Sequence, residues 1–122
     1  MKYAIDFNIM ELAELVCACK YALSKEHDHF IQIFEWNVKG IDALRSAREK
    51  ILAALGEENY HVELNLMEIV QLYAACNMAW HHEKDEMAKE HPEYKFGQYA
   101  RAVQDLEYAR EKILAALNKG GK

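Results

Sequence analysis

Ala47-Arg48-Glu49-Lys50-Ile51-Leu52-Ala53-Ala54-Leu55 returns letter for letter as Ala109-Arg110-Glu111-Lys112-Ile113-Leu114-Ala115-Ala116-Leu117, and this repetition governs the reading of the whole chain. The likeness continues upstream of each copy. An offset of 57 lays Tyr3, Ile5, Asp6, Phe7, Asn8, Met10 and Glu11 on Tyr60, Val62, Glu63, Leu64, Asn65, Met67 and Glu68. The same offset lays Leu15, Ala18, Cys19, Ala22 and Glu26 on Leu72, Ala75, Cys76, Ala79 and Glu83. The offset grows to 62 at the identical segment, so the second half carries about five extra residues, around His91 to Phe96. The expectation is one domain, 1–122, built of two repeats, 1–56 and 57–122.

Within each repeat the apolar spacing changes once. Lys2 to Phe7 alternates apolar and polar residues, as does Tyr60 to Leu64, which is the period of a half-buried strand. A lone strand leaves its backbone groups unpaired, so the two are expected to pair with each other, or with copies from a second chain, antiparallel about a pseudo-two-fold axis. Asn8 and Asn65 come next, each with a Glu three residues on, the spacing of a capping box that starts a helix. Leu12, Leu15, Val16, Cys19, Ala22 and Leu23 then fall on one helical face, and Ile69, Leu72, Tyr73, Cys76, Ala79 and Trp80 repeat it. Pro92 disfavours helix at His91 and should stop the second copy; in the first copy a break is expected near residue 27.

A second helix is expected in each repeat. The first, about Asp28 to Leu55, places Phe30, Phe34, Ile41, Leu44, Ile51, Leu52 and Leu55 on one face, with Gly56 as the natural C-terminal stop. Its copy, about Glu93 to Asn118, aligns Phe96, Tyr99, Val103, Leu106, Ile113, Leu114 and Leu117. The fold class is therefore mainly α (α+β): a tandem duplication of a β-α-α unit, with two short strands forming a ribbon beside a four-helix core.

Composition bounds what such a domain does. Over 122 residues, 52% hydrophobic and 29% charged content exclude disorder. A net charge of −5 repels a phosphate backbone and argues against direct sequence-specific nucleic-acid binding. No apolar run reaches bilayer length and no leader pattern opens the chain, so no membrane association and a cytoplasmic setting are expected. Cys17, Cys19 and Cys76 make an odd set without disulfide or zinc spacing. Threonine is absent, the two serines, Ser24 and Ser46, sit in no strand-to-helix elbow, and there is no Gly-rich phosphate loop. The sequence offers no catalytic motif and implies no cofactor.

Two groups of residues call for a partner. Arg48 lies among Leu44, Ile51, Leu52 and Leu55 on the helical wheel, and Arg110 lies identically among Leu106, Ile113, Leu114 and Leu117. A buried guanidinium must find an anion. An internal clamp would pair Arg48 with Asp6 or Glu11 and Arg110 with Glu63 or Glu68. Alternatively, Arg48 and Arg110, with Tyr3 and Tyr60, line a pocket for a small anionic ligand such as a nucleotide, or the two guanidinium groups snorkel to solvent. The second group is Glu26, His29, His82, Glu83 and Glu86, whose Glu-x-x-His and Glu-x-x-Glu spacings resemble those of carboxylate-bridged metal bundles. A solvated helix end explains the same residues without metal.

The functional expectation is a non-enzymatic cytosolic binding module that docks a protein partner, as an inhibitor or adaptor, and forms a homodimer. The apolar faces, and the Trp and Tyr residues spread over them, suit such contacts. Sequestering or sensing a small anion is the first alternative, and metal binding the second.

Overall fold

A computed structural model describes residues 2–24, 38–90 and 98–120. Its elements run β1 (Lys2–Asp6), α1 (Ile9–Ser24), α2 (Val38–Gly56), β2 (His61–Asn65), α3 (Leu66–Glu90) and α4 (Gln98–Lys119). The chain is mainly helical, with four helices and a two-stranded antiparallel ribbon among the described residues. The expected break near residue 27 and the inserted residues around His91 to Phe96 lie outside the described residues.

The ribbon pairs Tyr3 with Leu64, Ile5 with Val62 and Asp6 with His61. Ile5 and Val62 occupy equivalent positions of the sequence repeat, so the register is symmetric about that rung. Beyond the last rung, the Phe7 amide still donates to the Tyr60 carbonyl at 3.0 Å. Both strands bury alternate residues, sending Tyr3, Ile5, Val62 and Leu64 into the core and leaving Lys2, Ala4, Asp6, His61 and Glu63 outside. One face of the ribbon thus closes over the helices.

Both capping boxes form as the spacing demands. The Glu11 amide donates to Asn8 Oδ1 and the Asn8 amide to Glu11 Oε1, each at 2.8 Å. Asn65 and Glu68 repeat the exchange at the same distances. From these starts Leu12, Leu15, Cys19 and Ala22 on α1, and Ile69, Leu72, Cys76 and Ala79 on α3, enter one core with the ribbon residues. Helix α3 is described as far as Glu90, and His91-Pro92, where the proline was expected to end it, lies outside the described residues.

The second helices depart from expectation in their rotation. Their buried lines are Leu44, Ala47, Ile51 and Ala54 on α2, and Leu106, Ala109 and Ile113 on α4, while Leu52 and Leu114 are exposed. The stripe centres on the alanines rather than on Arg48 and Arg110. Weighting the wheel by large side chains misplaces its middle, because helices approach most closely where the residues are small.

The end of α2 also differs. Gly56 belongs to the last helical turn, and the left-handed residue is Glu58, at φ 57°. The Asn59 amide donates to Ala54 O at 3.0 Å and the Glu58 amide to Leu55 O at 3.3 Å, the paired bonds of a Schellman motif. At the end of α4 the equivalent left-handed position, φ 76°, is Gly120.

Candidate functional site

The two buried carboxylates are the strongest electrostatic feature, and each is held from the other half of the chain. Glu11 on α1 receives Lys112 Nζ of α4 at 2.7 Å, and Glu68 on α3 receives Lys50 Nζ of α2 at 2.7 Å. Both glutamates are 1% exposed. Lys112 Nζ also donates to the Asp6 carbonyl at 3.0 Å, tying α4 to the end of β1. Ser46 adds a hydroxyl to Glu68 Oε2. Burial pushes the Glu68 carboxyl up, but the Asn65 amide, Lys50 and Ser46 outweigh it and hold it below the usual carboxylate range.

The internal-clamp expectation is therefore corrected: the cations are lysines two residues beyond the arginines, and they cross between halves. The reason is the rotation of α2 and α4. With Ala47 and Ala109 innermost, Lys50 and Lys112 fall on the side facing the start of the opposite helix, and the arginines turn away from it.

Arg110 stacks its guanidinium over Trp80, 4.2 Å from the ring centroid, and donates to Asn77 Oδ1 at 3.0 Å. Arg48 has no matching pair, because the repeat places Lys20 and Leu23 where Asn77 and Trp80 stand. Its Nε is buried and has no hydrogen-bond partner. Tyr3 is buried in the core, and Tyr60 is half-buried against it. Of the four residues of the expected anion pocket, Tyr3 lines a described groove, with Lys2, Ala4, Glu63, Ala116, Lys119 and Gly120. Neither arginine lines that groove or the one along Met10, Glu14 and Glu83 described next.

Of the metal group, Glu26 and His29 lie outside the described residues. His82 stacks on Tyr21, with centroids 4.6 Å apart. Glu83 joins a groove of about 470 Å³ with Met10, Glu14, Cys17, Arg101 and Asp105. Burial raises the Glu14 carboxyl, and the Asp105 and Glu83 charges raise it further. Among the described residues no group of three or more His, Cys, Asp or Glu side chains is placed to hold a metal ion.

The cysteines divide by burial. Cys19 and Cys76 are fully buried free thiols, pushed up to about 12 by burial against the weaker pull of Arg48 and Arg110. Cys76 donates to the Leu106 carbonyl at 3.4 Å. Cys17 is exposed, and partial burial with Glu14 nearby raises it.

Sequence reasoning overlooked Lys50 and Lys112, although both belong to the identical nine-residue segment. It also overlooked the exposed apolar residues of the helix starts: Ile9, Met10, Leu66, Met67 and Val70. Comparison of this chain with protein-family models, curated proteins and solved structures finds no match.

Proposed function

We propose that the chain is a non-enzymatic cytosolic binding module that docks a protein partner, acting as an adaptor or inhibitor, and that its two β-α-α units arose by tandem duplication. The observation that supports this is the set of large apolar side chains left exposed. Ile9, Met10, Leu52, Leu66, Met67, Val70, Tyr108 and Leu114 are each between 41% and 52% exposed, and Ile9, Met10, Leu66 and Met67 belong to the first turns of α1 and α3, directly after the strands. Three pairs among them are repeat equivalents: Ile9 with Leu66, Met10 with Met67, and Leu52 with Leu114. Exposed large apolar side chains are a feature that protein contact explains, and methionines adapt to irregular partners. Among the described residues no helix is long and apolar enough to cross a membrane, so a bilayer does not account for this surface through a spanning helix.

The test is affinity capture from the native host, identified by mass spectrometry, with a Met10→Glu/Met67→Glu variant as the control. A partner retained by the wild-type protein and lost by the folded variant supports the reading. Capture unaffected by the variant refutes the assigned surface. Solution mass at micromolar concentration tests the homodimer.

One observation favours a second reading. A buried Arg48 Nε without a partner suits a small anion, and a rise in Tm with added nucleotide that Arg48→Met abolishes would select this reading over the first.

A further inference from the structure

A two-stranded ribbon has two edges, and these two are finished differently. Because Phe7 and Tyr60 form a hydrogen-bonded rung, alternation makes Ile5–Val62 and Tyr3–Leu64 the other such rungs. The N–H and C=O groups of Ala4 and Glu63 therefore point outward, from opposite edges. On the β2 edge the first outward amide, that of His61, donates to Asn59 Oδ1 at 3.4 Å. The His61 ring is itself held by Asp6, at 2.7 Å. On the β1 edge the repeat puts Lys2 and Ala4 where Asn59 and His61 stand. Lysine has no acceptor to turn back on the chain, and alanine fills no space. Among the described residues nothing hydrogen-bonds the outward groups of Ala4, while the next outward carbonyl of this edge, that of Asp6, accepts from Lys112 Nζ at 3.0 Å, so the open part of the edge is Lys2 to Ala4.

Space and charge follow the same asymmetry. Beside β1 runs a groove of about 520 Å³, lined by Lys2, Tyr3, Ala4, Glu63, Ala116, Lys119 and Gly120. Lys119 and Gly120 stand where the β2 side has Glu57 and Glu58, so the margin of β1 is basic and that of β2 acidic. Lys2 reaches Glu63 only at 3.8 Å, with both side chains more than half exposed, so water competes for the pair and Lys2 stays available to another carboxylate. Open strand edges recruit further strands unless blunted.

We propose that the β1 edge is a docking site for an extended acidic segment of a partner protein, which adds to the ribbon as a third strand with its carboxylates between Lys2 and Lys119. This rests on the reading of the chain as a protein-binding module, but it uses a surface other than the apolar helix starts. The probe is an eight-residue peptide alternating Glu and Val, titrated into the full 15N-labelled chain, with the Lys-Val counterpart as control. The Glu peptide is expected to shift the amide resonances of Lys2 to Asp6 and slow hydrogen exchange at Ala4. It should weaken as salt rises and bind at least ten-fold more tightly than the Lys peptide.

Lys2→Asn/Ala4→His, which copies the blunted edge of β2, should lower affinity at least ten-fold without altering the far-UV circular dichroism. Ala4→Pro, which removes only an outward N–H, should do the same. Equal binding of the Lys peptide, no shift at millimolar Glu peptide, or protection of Ala4 that grows with protein concentration alone, as a second copy would give, each overturns the proposal. Shifts confined to Ile9, Met10, Leu66 and Met67 overturn it and leave the binding-module reading standing, whereas failure to capture any partner counts against that reading.

Discussion

Replacing Lys50 by methionine tests the cross-half pairing most directly. The change keeps the length and apolar stem of the side chain and removes the charge that meets Glu68 at 2.7 Å. Breaking a buried ion pair costs roughly 3–5 kcal/mol when both partners are enclosed. Here the glutamate side chain is 2% exposed but the lysine is 45% exposed, and Ser46 and the Asn65 amide still serve the carboxylate. Water at the vacated position offsets part of the loss, so the expected destabilisation is about 1–2 kcal/mol. Lys112→Met should cost somewhat more, because Lys112 also holds the Asp6 carbonyl and the repeat puts Tyr108 where Ser46 serves Glu68. Urea unfolding followed by far-UV circular dichroism gives these differences if the transition is two-state.

The sign with pH is fixed by Glu68. Its folded-state carboxyl is held below the usual range, so its contribution is fully present above the unfolded value of about 4.3. That contribution is lost as pH falls through the lowered folded value. The gap between wild type and Glu68→Gln should therefore close on acidification and stay open at neutral pH. In a double-mutant cycle, Lys50→Met and Glu68→Gln should show a coupling of about 0.5 kcal/mol or more. A coupling indistinguishable from zero, or a Lys50→Met loss below about 0.3 kcal/mol, would refute the claim that this lysine secures the buried acid.

Other perturbations probe separate parts of the structure. Glu58→Gly should stabilise the fold by about 0.5–1 kcal/mol, because glycine adopts the left-handed turn without the penalty that glutamate meets there, and the same urea titration measures it. Ala109→Leu inserts a large side chain where the alanine is fully buried, and a loss of about 1–3 kcal/mol is expected. Glu14→Gln should raise stability at neutral pH by removing a carboxylate that burial, Asp105 and Glu83 all disfavour. Because that carboxyl is raised in the fold, the gain should vanish below the unfolded pKa, and thermal unfolding at two pH values checks it. Iodoacetamide at mildly alkaline pH should alkylate Cys17 alone in the native protein and all three cysteines in urea, as intact mass will show.

Sequence alone determined the elements that depend on neighbours along the chain. Two alternating stretches became the paired strands, and two Asn-x-x-Glu spacings became reciprocal capping boxes. Each of these is written in residues a few positions apart, where bond geometry and hydrogen-bond reach leave little choice. Only the tertiary structure decided which way α2 and α4 turn about their axes. A shift of one residue on the wheel, about 100°, moves the inner line from arginine to alanine. That turn exposed Leu52 and Leu114, left Arg48 Nε without a partner and gave the buried acids to lysines of the opposite half. Close approach of helix backbones favours alanine at the contact, and a wheel weighted by side-chain size cannot show that approach. The difference between the ribbon's two edges was likewise spelled out in Lys2, Ala4, Asn59 and His61, but it acquired meaning only once the register fixed which amides face outward.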